Sequence, residues 1–256
     1  MTTDSTPTSS AQREPGLLGQ TVVVIGGSAG IGLETARRAR VEGAEVIITA
    51  RDPEHLQRAA RDVGARSTAA FDATDPEALK RFFDGLPGRI DHVMVTGPGP
   101  RYGRLLEMTA DEVRFALGDH VVLALEVARN AANRMRPGGT LIFIGGTAGR
   151  RVSRELGLVS AATAVLPPFA AALALELAPV RVNLIAAGFV DTPLAASYFP
   201  NRDDLDKRRD ELREKLPIGR VVGPADVAAL AVHIMTNTAL TGATYDIDGG
   251  QQFIGS

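Results

Sequence analysis

Gly26, Gly30 and Gly32 follow the run Val22-Val23-Val24-Ile25 and stand at the head of a helical pattern that opens at Gly30. Glycines at this spacing let the chain turn tightly, bring backbone N–H groups up to a pyrophosphate and let the following helix press on a sheet. The helix N-terminus then faces the anion with its partial positive charge, and no charged side chain is required. A turn that needs positive φ explains such a loop equally well. Other chemistries are poorly provided for. There is no cysteine to act as nucleophile or thiolate ligand, the four histidines are scattered without metal-ligand spacing, and Thr147, Ser153 and Ser160 are hydroxyls without an evident base.

The elements that would position this loop repeat along the chain. Short apolar runs alternate with longer helical patterns from residue 21 to the end, the arrangement of βαβ units around a parallel sheet buried on both faces. Strands are expected near Thr21–Ile25, Glu45–Thr49, Ser67–Phe71, His92–Thr96, Thr140–Ile144, Val180–Ile185 and Thr244–Ile247. Helices are expected to begin at Gly30, Pro53, Pro76, Asp111, near Ser160 and at Pro224. This gives an α/β fold, a single-domain Rossmann-like doubly wound sheet of seven mostly parallel strands with helices on both faces. Residues 17–256 are assigned to that domain and 1–16 to a flexible N-terminal tail rich in Thr, Ser and Pro.

The bulk numbers set the bounds. A chain of 256 residues, 45% hydrophobic, with a net charge of −2, can bury a large core as one domain. A near-neutral balance gives no reason to expect nucleic acid or an anionic membrane as partner, and a small-molecule ligand is the expected one. The sequence shows no apolar run of about 18 residues that would span a bilayer. A reducing cytoplasm is the expected location. Helices near Asp111–Met135 and Ser160–Leu177 are rich in Ala, Leu and Val on more than one face, which suits a homodimer or homotetramer as well as close packing on the sheet. The charged stretch from Asn201 to Lys215 reads as a solvated helix, or as a lid over the site.

The Gly26-x-x-x-Gly30-x-Gly32 spacing resembles the short-chain dehydrogenase/reductase family, and the resemblance extends over nearly all of residues 17–256. It implies that Gly26, Ser28, Gly30, Ile31 and Gly32 cradle a nicotinamide dinucleotide. At the end of the second strand Ala50 stands where an acidic residue would bind the ribose 2′-hydroxyl of NAD, and Arg51 follows it. A guanidinium forks onto a 2′-phosphate, so the resemblance implies NADP(H); an arginine that only caps a surface turn is the alternative. Asp72 and Ala73 resemble the family's adenine-binding position, although Asp72 suits a turn before Pro76 equally well. Thr96 and Gly97 open a small-residue turn beside the cofactor, stiffened by Pro98 and Pro100. The segment Gly188-Phe189-Val190-Asp191-Thr192 resembles the one that holds the nicotinamide carboxamide, with Val190 and Thr192 making the contacts.

The same resemblance exposes what is missing. Family members use an asparagine, a serine, a tyrosine and a lysine four residues beyond the tyrosine; here His120, Gly146, Val159 and Thr163 stand at the matching positions. No tyrosine lies between Tyr102 and Tyr198, and the only lysines are Lys80, Lys207 and Lys215, so no register shift restores the pair. Pro167 and Pro168 should kink the helix that carries these positions. His120 and Tyr102 are the candidate substitutes for proton transfer, each with a plainer reading as a packing histidine or a loop aromatic. Arg150, Arg151 and Arg154 either bind an anionic substrate or sit on a solvated loop. Three functions follow: a divergent NADP(H)-dependent oxidoreductase acting on a small carbonyl or activated alkene, a non-catalytic NADP(H)-binding sensor or partner subunit, and a non-redox enzyme reusing the cleft.

Overall fold

The structure, a computed structural model, describes residues 14–97, 99–150 and 154–254. Seven strands, β1 (Thr21–Ile25), β2 (Glu45–Ala50), β3 (Ser67–Ala70), β4 (Ile90–Val95), β5 (Met135–Gly146), β6 (Arg181–Ala187) and β7 (Thr244–Ile247), form one sheet. Their order is β3-β2-β1-β4-β5-β6-β7, and every pair is parallel. Strand order reverses between β1 and β4, and at such a switch point the connections diverge to open a crevice above the carboxyl ends of the strands.

Alternation within the strands divides the core in two. Val22 and Val24 of β1 pack with α1 (Gly30–Val41), α2 (Pro53–Val63) and α9 (Pro224–Thr236), while Val23 and Ile25 pack with the opposite helical layer. That layer is built from α3 (Pro76–Asp84), α4 (Ala110–Ala132) and α6 (Leu166–Glu176). Caps set where these helices start. Asp52 and Asp75 each accept two backbone N–H bonds just ahead of a proline at the first turn, and Thr109 forms a reciprocal capping box with Glu112.

Some bounds differ from the sequence expectation. β5 begins at Met135, where the helical pattern was expected to continue, because Met135 already pairs with Ile90 before a register shift at His92. The helix expected near Ser160 starts at Gly157 and is broken at Val165 into α5 (Gly157–Ala164) and α6, with Pro167 and Pro168 in the first turn of the second piece. A proline cannot donate to the preceding turn, so the break falls just before it. The expectation that no segment is long and apolar enough to span a bilayer is corrected here. By length and composition Gly157–Glu176 passes that test, at 20 residues and mean hydropathy 1.9. Within it Leu158, Val159, Leu166 and Leu173 are buried, while Val165 and Leu175 are exposed.

The charged stretch forms α8 (Arg202–Lys215), capped by Asn201 and preceded by the short α7 (Pro193–Ala196). Its buried residues are Leu205 and Leu212, and most of its ion pairs run i,i+3. At the other end of the domain Gly16 donates to the Glu42 carboxylate at 2.9 Å and Leu17 is fully buried. The last residues assigned to the tail thus already pack on the domain, and residues 1–13 lie outside the described part.

Candidate active site

The glycine turn is held from two sides. Gly26 and Gly27 both donate to the Thr49 carbonyl, at 3.0 and 2.9 Å, and Thr96 lies 3.0 Å from the carbonyls of Ile25 and Gly26, to which its hydroxyl donates. No side chain larger than glycine fits. A Cβ on Gly32 would stand 2.2 Å from the Gly26 carbonyl oxygen, and one on Gly26, where φ is 84°, would stand 2.3 Å from the Thr96 hydroxyl. A Cβ on Gly27 would meet Ile48 at 2.8 Å, so this glycine, which the sequence reading did not single out, is needed for packing as well.

Behind the turn, α1 starts without a capping side chain. Ala29 is its N-cap, no acidic residue stands in its first turn, and the orphan N–H groups there are left to an external acceptor. Thr192 closes in from β6, its methyl 3.2 Å from the position of a Cβ on Gly30. Gly188 is hemmed in as tightly, a Cβ there standing 2.5 Å from the Gln251 side-chain oxygen, which also accepts the Phe189 N–H at 2.7 Å. Val190 is fixed by a bridge to Val222, and Thr192 caps α7 by accepting the Ala195 N–H at 3.2 Å. Ser28, Gly30, Ile31, Gly97 and Thr192 are all half-buried, and Ile31 and Thr192 line the same cleft.

Arg51, Asp72 and Ala73 lie together at the carboxyl ends of β2 and β3, where the Phe71 N–H bonds the Ala50 carbonyl at 3.0 Å. Arg51 is exposed, and its charge acts on Asp72. One Asp72 oxygen accepts both the N–H and the hydroxyl of Thr74, at 3.0 and 2.8 Å, and these bonds hold the carboxyl below its usual range. Asp72 is thus spent in good part on its own turn.

Beyond the glycine turn opens a cleft of about 970 Å³. Ile31, Thr96, Val190 and Thr192 form one side of it, and Gly145, Gly146, His120, Val159 and Thr163 its floor. Thr163 donates its hydroxyl to the Val159 carbonyl at 2.8 Å, with the Ser160 carbonyl at 3.3 Å, so the proton points back into α5. His120 also borders a small void of about 20 Å³ with Val159 and Thr163. Burial pushes the neighbouring Asp119 carboxyl up. The roof comes from α7, α8 and the turn between them, where Leu194, Tyr198, Phe199, Arg208, Leu212 and Lys215 reach the cleft. Tyr102 and Tyr198 meet edge to face with ring centres 5.0 Å apart, and the Tyr198 hydroxyl donates to the Pro100 carbonyl at 3.0 Å.

A family model described as enoyl-(acyl carrier protein) reductase matches residues 26–252. The chain belongs to the short-chain dehydrogenase/reductase family. An uncharacterized oxidoreductase of Mycobacterium tuberculosis (strain CDC 1551 / Oshkosh) is 30% identical over 244 residues, covering 90% of this chain and 91% of the relative. A short-chain dehydrogenase/reductase of Stachybotrys chlorohalonatus is 26% identical over 251 residues, covering 92% and 98%. Among solved structures, BdcA in complex with NADPH superposes with a TM-score of 0.80 at 27% identity, covering 91% of this chain and 95% of that one.

Of the dinucleotide candidates in this dehydrogenase/reductase, Ile31, Thr96, Gly188, Val190 and Thr192 line one cleft, and Gly26 and Gly32 pack against Thr96. The arginines proposed for an anionic substrate fare differently: Arg150 is paired with Asp246, Arg154 is exposed and outside the cleft lining, and Arg151 lies outside the described residues, as do Ser153 and Pro98. The roof residues Leu194 and Phe199 were missed as site residues, while Arg208 and Lys215 fall in the stretch also read as a lid over the site. Nothing in their local sequence distinguishes a cleft-facing helix position from a solvated one.

Proposed function

We propose that this dehydrogenase/reductase binds NADP(H) and acts as a divergent oxidoreductase on a small carbonyl or activated alkene, without the usual tyrosine and lysine. The observation that carries the cofactor assignment is the cradle itself: the uncapped α1 N-terminus behind three glycines that leave no room for a Cβ. Those backbone N–H groups would bind the pyrophosphate, Arg51 the 2′-phosphate, and Val190 and Thr192 the carboxamide. NADPH in the complexes of BdcA and of a small-chain dehydrogenase, the latter 27% identical with a TM-score of 0.78, supports the same choice. When bound, the nicotinamide supplies hydride chemistry.

The chain's own part is to orient the substrate, exclude water and manage a proton. Val159 has no proton to give, and the Thr163 hydroxyl is committed to the helix backbone. His120, which lines the cleft with both, would be the side chain to exchange one, with water or the substrate itself as the other source. Lost acid–base help is worth roughly 10²–10⁴ in rate, so turnover with ordinary ketones should be slow. The inward bond of Thr163 favours a second reading, an NADP(H)-binding sensor or partner subunit without turnover.

Exposed Phe115 and Val122 on α4 and Leu175 on α6 support assembly with a second copy, as a homodimer or homotetramer. The lack of cysteine suits a reducing cytoplasm. The deciding experiment follows NADPH consumption over a panel of carbonyls and activated alkenes. Turnover above buffer that His120→Ala abolishes supports the oxidoreductase; tight NADPH binding with no turnover across the panel leaves the sensor.

A further inference from the structure

The roof of the cleft carries positive charge for which neither hydride transfer nor cofactor binding has a use. Arg208, Leu212 and Lys215 line the cleft together, at positions i, i+4 and i+7 of α8, a spacing that places them on one helix face. Leu212 is 1% exposed, so this is the face that α8 turns inward. The two cations flank it at points about 10 Å apart along the helix axis.

Most of the remaining charge on α8 is neutralised nearby. Arg209 bonds Asp206 and Asp191, both at 2.7 Å, Arg213 bonds Asp210, and Arg202 lies 3.6 Å from Asp206. Arg208 has one carboxylate, Glu211 at 3.3 Å, which leaves donors of its five-donor fork unengaged by that acid. Lys215 forms no ion pair among the described residues, and Glu155, an exposed residue, is the one acid among the described residues that line the cleft. The Arg208 charge reaches inward: it opposes the rise that burial imposes on the Tyr102 phenol. The crossed rings of Tyr102 and Tyr198 line the same cleft, as do Leu194 and Phe199.

We propose that the substrate has a flat apolar body held against Tyr102 and Tyr198 and a carboxylate at its far end held by Arg208 and Lys215. An aromatic edge-to-face pair accepts another ring at low entropic cost, and a guanidinium beside an ammonium gives a carboxylate both directed and point-charge partners. The assignment rests on the reading of this cleft as the substrate chamber beside the nicotinamide.

The test uses phenyl ketones whose ring carries a carboxylate directly or through one to three methylenes, each compared with its methyl ester. Affinities are measured by ligand-observed NMR on the full chain, with and without NADPH. For at least one spacer the acid should bind about tenfold tighter than its ester, the size of one charge-assisted hydrogen bond. That preference should shrink with added salt and fall to within about twofold in Arg208→Gln/Lys215→Gln, while ester affinity and NADPH affinity hold. Equal affinity of acid and ester for every spacer, or a preference that survives the double substitution, overturns the proposal. Failure of NADPH to bind at all would instead strike the cofactor reading, because the acid–ester comparison is made without nucleotide as well.

Discussion

The Thr163 hydroxyl donates to the carbonyl of Val159, 2.8 Å away and one turn earlier in α5, and both side chains form the floor of the cleft. At this floor the chain offers a methyl surface and a hydroxyl already committed to backbone. Val159→Tyr with Thr163→Lys and Gly146→Ser would place a phenol, an ammonium and a hydroxyl there. NADPH-dependent ketone reduction should then rise by roughly 10²–10⁴ in kcat/KM. A variant that folds and binds NADPH yet gains nothing would show that the crevice does not hold the nicotinamide against this floor.

Arg51 tests which nucleotide is bound. Arg51→Ala should weaken NADPH by roughly ten- to a hundredfold, as expected for a hydrogen bond to a charged group, and leave NADH nearly unchanged. Equal losses for the two nucleotides, read by titration of reduced-nicotinamide fluorescence, would remove the 2′-phosphate assignment.

Gly32→Ala forces a methyl to within 2.2 Å of a backbone oxygen, an atom that cannot rotate away. Overpacking of this kind costs about 1–3 kcal/mol. Both thermal stability and nucleotide affinity should fall, because the Gly26 carbonyl and the α1 N-terminus move together. The check is a melting curve paired with an NADPH titration; wild-type values in both would mean that the turn is looser than its geometry.

His92, in β4, is 3% exposed and bonded through Nε2 to the Gln20 side-chain oxygen at 2.6 Å. Burial, with the Arg181 charge adding to it, lowers its pKa from 6.5 to about 3. The folded protein therefore keeps His92 neutral where the unfolded chain binds a proton, so stability is full above pH 6.5 and declines as pH falls toward 3. The slope is about 1.4 kcal/mol per pH unit once the unfolded histidine is protonated. Urea midpoints between pH 7 and 5 should fall in the native protein and stay flatter in His92→Gln; parallel profiles would refute the assignment.

Much of the architecture was legible in residues that are close in sequence. Val22 to Ile25 had to be a strand buried on both faces, Gly26 to Gly32 a turn into a helix, and Pro53 and Pro76 helix starts, because each rests on side-chain shape and local hydrogen bonds. Where a long-range pairing decided the outcome, local pattern misled. Met135 joined β5 through its pairing with Ile90.

For the site, sequence alone determined that the chain has a dinucleotide loop and no tyrosine–lysine pair, since both are statements about which residues exist at fixed local spacing. Only the tertiary structure decided that Arg150 is occupied by Asp246 and that Arg208 and Lys215 border the cleft, whereas the bond that turns the Thr163 proton away stays within one turn of α5. A side chain's partners come from elements far apart in the chain, and the direction in which α8 presents its charges is set by burial of Leu205 and Leu212. Helical periodicity names the faces of such a helix, but packing against the rest of the molecule selects which face looks into the site.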